Sequence, residues 1–114
     1  MLGTGGPKSN SKIKNEILDE YLEISKYIDT PIRKFGSASL DLANVACGRL
    51  DGFWQRELSY WDIAAGILIV REAGGFVDFL DRDINESKKM NLVASNSLIH
   101  QELIDLIKKI IEKN

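Results

Sequence analysis

Between Ser59 and Gly75 the chain reads SYWDIAAGILIVREAGG, and this run constrains the fold more than any other. It predicts a helix from Asp62 to about Ala73, with Gly74-Gly75 as its C-terminal stop. The helix is apolar nearly all round, and a helix of that kind belongs in a core. One carboxylate, Asp62, stands at its start. A charge carried into a core is costly unless something pairs with it, so Asp62 calls for a helix N-terminus, a cation or a metal. The plainer reading is that Asp62 only caps the helix.

The rest of the chain sets bounds on what surrounds that helix. With 114 residues it is long enough for one domain, 1–114, and too short for two. Fifteen basic and 17 acidic residues give a formal charge of -2, which leaves no nucleic-acid footprint. No apolar run approaches the roughly 18 residues that span a bilayer, so no membrane contact is expected. The N-terminal residues lack the charged and apolar regions of a signal peptide. Cys47 is the only cysteine, which forbids an intrachain disulfide and suggests a reducing, cytoplasmic setting. Its apolar neighbours suggest an inert core thiol. His100 is the only histidine, so a histidine metal site is excluded.

Periodicity divides the chain into alternating helices and short strands. Leu2 to Gly5 reads as a strand broken by Gly5-Gly6-Pro7. Ser9 or Ser11 can cap a helix to about Tyr27, with Ile13, Ile17, Tyr21, Ile24 and Ile28 on one face. Ile32 to Phe35 reads as a short strand, and Ser37 then caps a second helix whose buried side is Leu40, Ala43, Val45 and Ala46. Gly48 ends that helix, Asp51-Gly52 turns, and Phe53 and Trp54 lie in a strand. Phe76 to Phe79 alternates as a strand does. Asp81 to Lys89 reads as a polar loop and Asn91 to Ala94 as a strand. Ser95-Asn96-Ser97 caps a closing helix carrying Leu98, Leu103, Leu106, Ile107 and Ile110. The fold class that follows is α/β: a layered α-β-α sandwich around a mixed, partly parallel sheet.

Several elements then coincide with one family. They are Arg33-Lys34-Phe35-Gly36-Ser37-Ala38, the run from Ala46 to Trp54, Trp61-Asp62-Ile63-Ala64-Ala65-Gly66, and Glu72-Ala73-Gly74-Gly75. In order and spacing this block resembles the C-terminal half of the inositol monophosphatase family, particularly its SuhB-like members. Thr4-Gly5-Gly6-Pro7 and Val93-Ala94-Ser95-Asn96 extend the likeness to essentially the whole chain. Full-length members are about twice this size. Their first half carries a metal-binding glutamate and a DPxDGT motif, neither of which this sequence contains. The resemblance therefore implies a C-terminal fragment, or one product of a split gene, whose catalytic N-terminal half is absent.

The family hydrolyses inositol phosphate or a similar polyol phosphate with Mg²⁺. The resemblance implies that Asp62 ligates a metal and that Gly36, Ser37 and Ala38 contact substrate. A glycine-flanked helix start offers free N–H groups to an anion, although simple capping by Ser37 is the plainer reading. Gln55, seven residues before Asp62, occupies the position of a glutamate that binds substrate hydroxyls in relatives. It keeps hydrogen-bonding capacity and loses the charge. Glu57 stands where glycine is usual and would share a strand face with Gln55, while Tyr60 stands where relatives often have proline. Glu72, Asp51, Asp78, Asp81 and Asp83 are assigned to no metal. Two readings follow. One is half of a Mg²⁺-dependent phosphomonoesterase, inactive alone, its partner a separately encoded N-terminal half. The other is a non-catalytic remnant or interaction module. Either leaves an apolar surface uncovered, which invites homo-oligomers.

Overall fold

The structure, a computed structural model, describes residues 1–7, 9–80, 89–96 and 99–113. Its elements run β1 (Leu2–Thr4), α1 (Lys14–Tyr27), β2 (Ile32–Arg33), α2 (Ala38–Ala46), β3 (Gly52–Ser59), α3 (Tyr60–Glu72), β4 (Phe76–Phe79), β5 (Lys89–Ser95) and α4 (His100–Lys113). The five strands form one sheet in the order β2-β1-β3-β5-β4. β2, β1 and β3 are parallel, and β5 and β4 complete the sheet antiparallel. The mixed sheet read from the sequence is thus observed, with helical crossovers joining the parallel strands.

Strand alternation sends successive side chains to opposite faces of this sheet. Phe53, Leu92 and Ala94 meet α2 and α3 through Leu42, Val45, Ile63, Ile67 and Val70. Trp54, Val93 and Leu2 meet α1 and α4 through Ile24, Ile28, Leu103, Ile104 and Ile107. Three layers result. Between α2 and α3 the approach is close because Gly66 has no side chain: a Cβ there would lie 2.6 Å from Leu42 Cδ1. The absence of a side chain at Gly66 therefore serves tight helix contact.

Several sequence expectations need correction. β2 stops at Arg33, short of Phe35, and α1 is capped by neither serine side chain. β3 runs on to Ser59, well past the Phe53-Trp54 pair, and α3 begins at Tyr60 with Ser59 as its cap. Asp62 lies in the first turn of α3 and is exposed, so it neither caps the helix nor carries a charge into a core. Nor is α3 enclosed: Trp61 is 87% exposed and Leu68 61%. On α2, Leu40 points outward, and Leu42 is the residue that Gly66 accommodates. That rotation carries Asp41 inward instead. Cys47 is exposed rather than a core thiol. Ser95 belongs to β5, and Asn96 donates its side-chain amide to the Val45 and Leu50 carbonyls at 2.8 and 2.9 Å. The Asp81–Lys88 part of the expected loop, together with Ser97 and Leu98, lies outside the described residues.

Candidate active site

The carboxyl ends of β2 and β3 each lead into a helix, α2 and α3, and the starts of both helices open on one cavity of about 390 Å³. That volume suits a small organic ligand, and the carboxyl end of parallel strands is the usual place for one in an α/β sheet. Gly36, Ser37, Ala38 and Ser39 form its α2 wall. Gln55, Glu57, Leu58, Ser59 and Asp62 form the β3–α3 wall. All five residues singled out from the sequence (Gly36, Ser37, Ala38, Gln55 and Asp62) therefore meet in one place, although 26 positions separate the first from the last.

Local sequence explains how each wall is held. Gly36 takes φ +85°, in the left-handed region that glycine reaches without strain. This turn delivers Ser37 to the N-cap of α2, where its hydroxyl accepts the Leu40 N–H at 3.3 Å. The capping role foreseen for Ser37 is present, and its hydroxyl proton remains able to donate. Ser39 ties the two walls together, its hydroxyl donating to the Asp62 carbonyl at 2.6 Å. At the start of α3, Ser59 makes no side-chain cap bond, so the first N–H groups of that helix are left without a capping side chain. Asp62 in the same turn gains from the positive end of the helix dipole. Gln55 lies across Gly5: a Cβ there would fall 2.2 Å from the Gln55 carboxamide carbon, so only glycine leaves room for the side chain.

Beyond Gln55 the strand changes character. The β3–β5 register shifts between Gln55 and Leu58, and Glu57 has φ 61°. The Glu57 N–H donates to Asn91 Oδ1 at 2.8 Å, and its carboxylate accepts from the Ser11 hydroxyl. The intervening Arg56 turns to the other face, buried against α1, where its guanidinium donates to Glu16 at 2.9 Å and to Glu20. The spacing of Glu16 and Glu20, one helical turn apart, is the only sequence sign of this buried ion cluster.

Two further groups of polar side chains were not anticipated. Ser95 Oγ and Asp78 Oδ2 each lie 2.8 Å from a ring nitrogen of His100. The types are those of a hydrolytic triad, but Ser95 is completely buried and no ligand could reach it. The arrangement instead fastens α4 to β4 and β5. Asp41, also sealed in the core, has a carboxyl oxygen without a hydrogen-bond partner, and burial pushes its pKa up from 3.8 to about 6.

As a metal site, the cavity offers hard oxygen donors of the kind Mg²⁺ takes, from Asp62 first. Among the described residues no group of three His, Cys, Asp or Glu side chains converges to enclose an ion. Asp62 fits as one ligand of such a site, and the described residues do not complete a shell around it.

Comparison with known proteins places this architecture. The family model described as "Inositol monophosphatase family" matches residues 2–112. An inositol-1-monophosphatase of Mesorhizobium japonicum is 51% identical over 109 residues, covering 96% of this chain and 41% of the relative. The Nus factor SuhB of Pseudomonas aeruginosa is 43% identical over 110 residues, covering 94% of this chain and 40% of that protein. The crystal structure of the extragenic suppressor protein SuhB from Bartonella henselae superposes with a TM-score of 0.80 at 44% identity, over 95% of this chain and 41% of that one. The chain belongs to the inositol monophosphatase family. It spans about two-fifths of the length of these relatives, consistent with the C-terminal half expected from the sequence.

Proposed function

We propose that this chain supplies one wall of the active site of a Mg²⁺-dependent phosphomonoesterase acting on inositol phosphate or a similar polyol phosphate. The observation that carries this reading is the meeting of Gly36, Ser37, Ala38, Gln55 and Asp62 around one cavity, in a chain of this family. Asp62 is a metal ligand in this reading. The N–H groups at the starts of α2 and α3 receive the phosphate. Bound Mg²⁺ orients the phosphate and activates water. The residues of this chain hold the substrate against it and contribute the Asp62 carboxylate. The remaining ligands come from sequence that the relatives have and this chain does not span, joined to it or supplied as a separate polypeptide. A reducing, cytoplasmic setting suits the free Cys47, and no helix among the described residues is long and apolar enough to cross a membrane.

The test is Mg²⁺-dependent hydrolysis of inositol 1-phosphate by this chain combined with the N-terminal part of a full-length relative. Asp62→Asn is expected to lower the rate about a hundredfold or more, since a metal ligand acts on the transition state itself. Undiminished activity in that variant would overturn the assignment.

A second reading has its own support. One relative is named as a Nus factor, and α3 is apolar and exposed at Trp61, Leu68 and Ile69. In that reading the chain is an interaction module, and substrate turnover never appears in the combined protein.

A further inference from the structure

We propose that Glu57 is the specificity-determining residue of this cavity, the carboxylate that reads the hydroxyl groups of the polyol. The inference rests on the phosphomonoesterase reading above and assigns the substrate's second recognition element within the same site.

Three observations carry it. First, Glu57 lines the cavity together with Gln55 and Asp62. Second, the side chain is held in place. Its backbone sits at φ 61°, where glycine would be at ease and glutamate is strained. Asn91 fixes the N–H at 2.8 Å, and the Ser11 hydroxyl holds one carboxylate oxygen. Strain of this kind persists only when the surroundings impose it, and the residue so fixed lines the cavity. Third, Glu57 forms no salt bridge among the described residues. A carboxylate accepts at about four lone-pair positions, and Ser11 occupies one of them.

Those open positions take donors, and the substrate class offers them as hydroxyls. Phosphate is kept from Glu57 by like charge and belongs with the helix starts and Asp62. The polyol ring is then turned toward β3, where Gln55 and Glu57 both line the cavity. The charge that Gln55 lacks is supplied two residues further on, within the irregular part of β3, by a residue lining the same cavity.

The experiment measures KM for myo-inositol 1-phosphate and, separately, Ki for inorganic phosphate, both with Mg²⁺, in the ¹⁵N-labelled chain combined with the N-terminal part of a full-length relative. Wild type, Glu57→Gln, Glu57→Gly and Ser11→Ala are compared. Glu57→Gln is expected to weaken inositol phosphate about tenfold, the scale of a lost charge-assisted hydrogen bond, and to leave inorganic phosphate within about twofold. Glu57→Gly gives the same selective loss while amide shifts outside the cavity stay as in wild type, because the backbone there suits glycine. Ser11→Ala, which frees the carboxylate without removing it, gives a smaller loss. Unchanged inositol phosphate affinity in both Glu57 variants overturns the proposal alone. A combined wild-type protein that neither turns over inositol 1-phosphate nor binds inorganic phosphate overturns the phosphomonoesterase reading, and this proposal with it.

Discussion

α3 and α4 are helices of nearly equal length on opposite faces of the same sheet, yet they meet water in different ways. α4 (His100–Lys113) alternates charged and apolar residues, and Leu103, Ile104, Ile107 and Ile110 are all buried. α3 (Tyr60–Glu72) is apolar throughout its middle, and Ile63, Ile67 and Val70 are buried while Trp61, Leu68 and Ile69 are exposed. Apolar content therefore matches burial in α4 and exceeds it in α3. A helix that is hydrophobic all round is expected to be surrounded. In α3 the described residues surround only one side. Large uncovered apolar patches of this sort mark contact surfaces. Leu40 on α2, 62% exposed, extends the same character beyond α3.

Substitutions on the two helices sharpen the contrast. Ile107→Ala, in the sealed interface of α4, should lower stability by about 2–5 kcal/mol through lost burial and a residual cavity. Urea unfolding followed by circular dichroism measures it, and a loss below about 1 kcal/mol would break the comparison. Asp41 gives the next largest effect, from inside the α2–α3 face. Its carboxyl is neutral more readily in the folded chain than in the unfolded one, so its stabilising contribution is complete below pH 3.8 and is lost as pH rises through about 6. The shift of about two units corresponds to a ceiling of about 3 kcal/mol. Asp41→Asn should therefore be more stable than wild type at pH 7.5, with the difference closing by pH 4. Unfolding curves at the two pH values read the sign directly. The smallest effect is Leu68→Ala, which should change the stability of this chain by less than about 0.5 kcal/mol, as surface substitutions do. The same variant should reduce self-association in sedimentation velocity. A monodisperse wild-type monomer at high concentration would show that the α3 face is not a contact surface.

The contrast also explains how much was legible in the sequence. α4 and the sheet it covers obey a simple rule, apolar in and charged out, so Leu103, Ile107 and Ile110 could be assigned to the core by spacing. On the other face that rule misleads. Leu40 looked like a core residue, but the close approach at Gly66 selects Leu42 and takes Asp41 inward with it. Such a rotation depends on which neighbour has no side chain, a tertiary fact that periodicity does not carry. The cavity residues were legible for a different reason. Gly36, Ser37, Ala38, Gln55 and Asp62 stood out by likeness to a family, and the crossover topology brings their segments together. The Glu57 conformation was hidden, because a glutamate in a strand gives no sign of positive φ. Its only trace was a charged residue at a position where glycine is usual.

A helix with one uncovered apolar side and a cavity in which Asp62 is the one proposed metal ligand point to the same proposal, that this chain provides part of a site. Mg²⁺-dependent phosphate release from inositol 1-phosphate by the 114-residue chain alone, beside its Asp62→Asn variant, tests that most directly. The account predicts no release above that of the variant. Hydrolysis by the chain alone, abolished by Asp62→Asn, would contradict it and show that these residues build a complete active site.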